Sequence, residues 1–171
     1  MRAIFLILCS VLLNGCLGMP ESVKPVSDFE LNNYLGKWYE VARLDHSFEK
    51  GLSQVTAEYR VRNDGGILVL NRGYSEEKGE WKEAEGKAYF VNGSTDGYLK
   101  VSFFGPFYGS YVVFELDREN YSYALCQGRI QNICGYFQER RLVERGILDK
   151  FIEMSKERGF DTNRLIYVQQ Q

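Results

Sequence analysis

Val55-Thr56-Ala57-Glu58-Tyr59-Arg60-Val61 decides the fold class. Its odd positions are apolar and its even positions polar, a period of two that buries one face of a strand and wets the other. Asn63-Asp64-Gly65-Gly66 follows, a hairpin signal in which Asp and Gly tolerate positive φ. Ile67 to Leu70 then begins the return strand. Working outward, Glu85 to Phe90 places Gly86, Ala88 and Phe90 on one face, with Glu85 and Lys87 on the other. Leu99-Lys100-Val101-Ser102-Phe103 alternates again, Gly105-Pro106 and Gly109 punctuate the next turn, and Tyr111 to Leu116 and Tyr121 to Leu125 read as strands. Short strands separated by regular turn signals predict an all-β domain.

Strands joined in series by short links make an up-and-down antiparallel meander. An open meander leaves two unpaired edges, and closure into a barrel removes them. Eight strands enclose just enough room for one small ligand. The inward set includes the small residues Ala57, Gly86 and Ala88, which favours a cavity, while a solid small barrel stays open on pattern alone. The expected cavity lining is Val55, Ala57 and Tyr59, then Val69, Gly86, Ala88 and Phe90, then Leu99, Val101 and Phe103, with Ala42, Val112, Phe114 and Tyr123 completing it. Further on the period changes. Ile147, Leu148, Phe151, Ile152 and Met154 follow helical spacing, with Glu and Lys opposite, and Gly159 stands where such a helix ends. One C-terminal helix packed outside the barrel is therefore expected, then a last short strand at Leu165 to Val168.

The N-terminal residues speak to compartment. Met1-Arg2 precedes an apolar run, Ala3 to Leu13, too short for a stable transmembrane helix but suited to a signal peptide. Leu13-Asn14-Gly15-Cys16 then looks like a bacterial lipobox, which divides the chain into a signal peptide (1–15), a lipidated N-terminus and tether (16–27) and a domain (28–171). An ordinary signal peptide with an incidental cysteine is the alternative. Each buried acyl CH₂ adds about 0.8 kcal/mol of membrane affinity, so a multiply acylated Cys16 would anchor the protein firmly. Four cysteines fall to Cys126 and Cys134 once Cys9 and Cys16 are set aside. A net charge of −2 over 171 residues gives no broad electrostatic grip on nucleic acid.

Tyr34-Leu35-Gly36-Lys37-Trp38-Tyr39-Glu40-Val41-Ala42-Arg43 resembles the G-x-W element of lipocalins, and Asp117 with Tyr121 and Tyr123-Ala124-Leu125 resembles their second element. Asp64-Gly65-Gly66, Glu85 to Phe90 and Lys100 to Gly109 extend the likeness to bacterial lipocalins across nearly the whole mature chain. The resemblance implies an eight-stranded lipocalin barrel and the binding of a fatty acid or lysophospholipid in envelope maintenance. It implies a barrel floor at Gly36 and Trp38, with Trp38 stacked on an arginine from a third element. It places His46 and Phe48 of one loop, and Phe104, Phe107 and Tyr108 of another, at the cavity mouth. Leu17 and Gly18, rather than Asp, after Cys16 imply outer-membrane sorting, on the periplasmic side.

The third element is where the likeness fails. The family has a strand resembling V-S-G-P-x-x-x-Y-L-W-x-L-S-R-T-P-T, whereas residues 126–142 show no alternation and hold both unexplained cysteines. Take each codon's third base with the first two of the next. Cys126-Gln127-Gly128-Arg129 then permits Ser-Gly-Pro, Asn132-Ile133-Cys134-Gly135 permits Tyr-Leu-Trp, and Phe137 to Leu142 permits Ser-Arg-Thr-Pro-Thr. Residues 126–142 are accordingly expected to be an out-of-frame read bounded by compensating indels, with the eighth strand disrupted. Resequencing the locus decides it, and an intact frame without indel sites sinks it. The rival is a tolerated loop with a Cys126–Cys134 disulfide.

An enzyme finds little support: the chain has a single histidine, no nucleophile motif and no Cys/His metal spacing. No catalytic residue, metal or cofactor is expected. A purely structural envelope lipoprotein is the other class. A co-purified lipid distinguishes a carrier from such a scaffold. Monomer and homodimer both stay open.

Overall fold

Gly36 takes φ +100°, a conformation that side chains with a Cβ rarely adopt. It turns the chain from a one-turn helix, α1 (Leu31–Tyr34), into the first strand, β1 (Gly36–Leu44). The computed structural model describes residues 19, 21–44, 49–128, 133–138 and 145–170. After β1 come β2 (Leu52–Val61), β3 (Ile67–Ser75), β4 (Glu80–Phe90), β5 (Tyr98–Phe104), β6 (Phe107–Leu116), β7 (Tyr123–Gln127) and β8 (Ile133–Phe137). Helix α2 (Arg145–Glu157), a 3-10 turn (Thr162–Arg164) and β9 (Leu165–Tyr167) complete the chain.

Each strand from β1 to β8 pairs antiparallel with the next, and β8 pairs back onto β1, so the barrel closes. The decisive alternation holds as far as Tyr59, while Val61, beside the turn, is exposed. Val55, Ala57 and Tyr59 are buried, and β2 pairs with β3 from Val61↔Ile67 onward around the turn. In that turn Asp64 Oδ1 accepts the Gly66 N–H at 3.0 Å. Strand β9 lies outside the closed set, on the last residues of β1. Just beyond it, Gln170 Nε2 donates to the carbonyls of Glu40 (2.7 Å) and Val55 (2.8 Å). This residue bridges the place where β1 and β2 part.

Two apolar clusters share the sheet. The inner one gathers Trp38, Ala57, Tyr59, Val69, Ala88 and Leu99 with Phe29 and Tyr34. The outer one lies under α2, where Phe151 meets Ala42, Val112, Phe114, Leu125 and Ile133. Helix α2 is amphipathic, as its spacing predicts, and it ends before Gly159.

The expected disruption of the eighth strand is overturned. Ile133-Cys134-Gly135-Tyr136-Phe137 forms β8 and pairs on both sides, Leu125↔Gly135 with β7 and Glu40↔Tyr136 with β1. The physical reason is that this wall of the barrel is buried on both faces. Cys134 and Tyr136 join the inner cluster, while Ile133 joins the outer one and Phe137 stacks on Tyr123. A strand covered on both sides carries no polar alternation to read. Five residues suffice, and residues 129–132 and 139–142 of the segment lie outside the described set. Nor is there a Cys126–Cys134 disulfide: the two are free thiols directly opposite on neighbouring strands.

Candidate functional site

The floor is built first. Trp38 is wholly buried, its Nε1 donates to the Tyr34 carbonyl at 2.8 Å, and its ring lies 4.6 Å from that of Tyr34. Phe29 continues the aromatic plug, 5.0 Å from Tyr34 and 5.9 Å from Phe90. Tyr34 thus covers one side of the Trp38 ring; Arg140 and Arg141, in the segment from which the family resemblance draws the arginine partner of Trp38, lie outside the described residues.

Above this plug the strands leave a cavity of about 800 Å³. Val55, Tyr59, Val69, Val101 and Phe103 line it, together with Asn71, Tyr111, Cys134 and Tyr136. Its rim is polar and aromatic: Glu49, Arg72, Lys82, Glu83, Phe104, Phe107 and Tyr108. Those rim residues sit at the β1–β2, β3–β4 and β5–β6 ends, which defines the open end of the barrel. His46 and Phe48, also expected at the mouth, lie outside the described residues.

The other expected lining residues divide into two groups. Ala57, Ala88, Phe90 and Leu99 face inward but belong to the apolar packing with Trp38 and Phe29, short of the open void. Gly86 also faces inward, where a Cβ would stand 2.8 Å from the Phe103 ring and 2.9 Å from the Ser102 carbonyl. The small residues therefore make room for floor and wall aromatics rather than for the void itself.

Ala42, Val112, Phe114 and Tyr123 are corrections. Ala42, Val112 and Phe114 face α2, and the Tyr123 hydroxyl accepts from Lys150 of that helix at 3.1 Å. Phe114 and Tyr123 also border an outer depression of about 760 Å³ between residues 21–26 and β6. The cause at Ala42 is a β-bulge between Glu40 and Ala42, which adds a residue and reverses which face each later side chain takes. At Val112, Phe114 and Tyr123 the helix makes the outer face apolar, so hydrophobicity cannot tell inside from outside.

The same bulge turns Arg43 inward, a feature absent from the sequence reading. Arg43 is 1% exposed and its Nη1 meets Glu40 Oε2 at 2.8 Å. Its Nη2 donates to the Glu49 carbonyl at 2.7 Å and to the Leu52 carbonyl at 3.3 Å, which fixes the base of the β1–β2 loop at the cavity mouth. Burial and the Glu49 carboxylate push Glu40 up from the usual carboxylate range, against the pull of Arg43.

Deeper in, polarity without charge prevails. The Tyr111 hydroxyl lies 2.9 Å from those of both Tyr34 and Tyr59, and donates to Cys126 Sγ at 3.1 Å. Burial raises all three phenols and pushes the Cys126 thiol up to about 11, so the group stays protonated at neutral pH. Asn71 Oδ1, on the cavity wall, is buried with no hydrogen-bond partner. Among the described residues no cluster of three or more His, Cys, Asp or Glu could hold a metal ion. The arrangement suits an apolar body inside and a polar group towards the mouth.

Comparison with known proteins agrees with this geometry. Residues 29–170 match the family model described as a lipocalin-like domain. The chain is 89% identical over 171 residues, all of both chains, to the outer membrane lipoprotein Blc of Vibrio cholerae. It is 44% identical over 151 residues to the protein of that name from Escherichia coli K12, covering 88% of this chain and 85% of that one. Insecticyanin from the tobacco hornworm Manduca sexta shares the fold, with a TM-score of 0.71 at 22% identity over 89% of this chain and 86% of that one. A closed barrel with a Trp38 floor, an outer helix and a matching model over most of its length places the chain in the lipocalin family.

Proposed function

We propose that the protein holds the acyl chain of a fatty acid or lysophospholipid in its barrel and carries or stores that lipid at the outer membrane, tied there by acylated Cys16. It is a binding protein, as lipocalins are, and not an enzyme. The observation that carries the reading is the cavity of about 800 Å³, whose inner wall is apolar or neutral and whose charges gather at the rim. That volume lies within the usual range for small-molecule sites. Each methylene moved from water to such a wall contributes about 0.8 kcal/mol, so a long chain binds well without any specific contact. Lys82 at the rim suits the carboxylate or phosphate of the head group. Relatives named outer membrane lipoproteins support the location, and the lipobox ending in Cys16 supports the anchor.

Displacement of a fluorescent fatty acid by a panel of fatty acids and lysophospholipids tests this. Affinity should rise with acyl length until the cavity is full. A protein that displaces no probe and co-purifies with no lipid would sink the carrier and leave a scaffold.

A further inference from the structure

We infer that the open end of the barrel docks onto the same bilayer that holds the Cys16 anchor, with the β5–β6 tip as the contact. The inference rests on the lipidation of Cys16 proposed above and adds an orientation to it. Phe104 and Phe107 face each other across that tip and are 66% and 65% exposed, more than any other large hydrophobic side chain among the described residues. Both border the cavity mouth. Tyr108 follows, with Lys100 Nζ 5.4 Å and Lys87 Nζ 5.9 Å from its ring centroid. An apolar apex with a basic collar is the composition that settles at a membrane interface, and each Lys near an anionic surface adds about 1 kcal/mol. On the β3–β4 side of the mouth Glu76, Glu77, Glu80 and Glu83 outnumber Arg72, Lys78 and Lys82, so that side is net acidic and less suited to an anionic surface. The contact is therefore on the β5–β6 side.

The path of the N-terminal segment supplies the independent argument. Ser22 Oγ donates to Gln127 Oε1 at 3.3 Å, and Gln127 is the last residue of β7, next to Gly128 of the cavity lining. Cys16 lies six residues before Ser22. A chain of that length spans at most about 21 Å when fully extended. The acyl anchor thus stays within about 21 Å of the open-end edge of β7, and a bilayer that close to the mouth is within reach of an exposed aromatic tip. In this pose a lipid passes between bilayer and cavity without its chain crossing water.

The test uses the mature acylated protein in vesicles of phosphatidylethanolamine and phosphatidylglycerol with brominated acyl chains. In a Trp81→Phe background, which leaves only the buried Trp38 common to both variants, tryptophan is placed at the tip by Phe107→Trp or, as comparator, at the opposite end by Val61→Trp, where Val61 is 59% exposed. Docking predicts a blue-shifted signal from position 107, quenched several-fold more than that from position 61. Equal quenching at both sites, or none at 107, overturns it. Flotation with the vesicles reads the anchor separately: a protein that floats while position 107 stays unquenched keeps the lipidation and loses the docking face. If it does not float, the lipidation reading fails. Docking then stands only if excess vesicles still quench position 107 more than position 61.

Discussion

Arg43 is the residue on which the mouth depends most. Its Nη1 bonds the Glu40 carboxyl inside the barrel, and its Nη2 binds the Glu49 carbonyl of the loop that follows β1 and the Leu52 carbonyl at the start of β2. Removing one partner of such a buried pair leaves the other in the interior without its hydrogen bond, at a cost of about 3–5 kcal/mol. Arg43→Met should therefore lower the denaturation midpoint strongly, and Arg43→Met with Glu40→Leu should recover a large part of the loss. A single variant as stable as the parent would show that the pair is idle. None of this was legible in the sequence, where Arg43 reads as one charge at the end of a strand. The extra residue at the Glu40–Ala42 bulge leaves no mark in composition, yet it exchanges inside for outside. Trp38 and Gly36 were legible because each answers to a local demand, a floor ring and a positive φ, that the motif itself encodes.

At the scale of elements, strands wet on one face could be read and strands covered on both could not. Strand β2 declared its buried face by alternation, but β6, β7 and β8 run beneath α2 and are apolar on both sides. This is why the sequence pattern points Val112 and Phe114 into the cavity and shows no strand at Ile133–Phe137. The β6–β7 turn is built on Asp117, which the sequence shows only as part of the second family element; its carboxylate accepts the N–H groups of Glu119 (3.2 Å), Asn120 (3.3 Å) and Ser122 (3.3 Å), and the Ser122 hydroxyl. Partial burial pushes this carboxyl up, but those four bonds outweigh it and hold it below its ordinary value. A folded value below the unfolded one gives stability that is fully present above the ordinary carboxylate range, near pH 4, and lost as pH falls through the folded value. Asp117→Asn should accordingly flatten the acid limb of a stability–pH curve. An unchanged slope below pH 4 would mean that the turn does not sense its carboxylate.

The whole molecule joins a closed floor to an open mouth, and the space between them is what a lipid would fill. The phenols of Tyr34, Tyr59 and Tyr111 satisfy one another beside Cys126, so a chain descending past Val101 and Phe103 meets an uncharged end stop. Affinity then depends on how many methylenes pass the middle of the barrel, which a side chain grown from the wall can block. Val101 packs beside the inner cluster and also lines the void midway along β5, so Val101→Trp directs an indole into the void. Excluding roughly four methylenes forfeits about 3 kcal/mol, or about a hundredfold in affinity for a long-chain fatty acid. Short-chain ligands should be much less affected, because they do not reach past the block. The far-UV spectrum and the unfolding midpoint should stay close to those of the parent, since the ring fills a void. Competition binding against a chain-length series measures both effects at once. A Val101→Trp protein that binds long chains as tightly as the parent would place the ligand elsewhere than in this cavity.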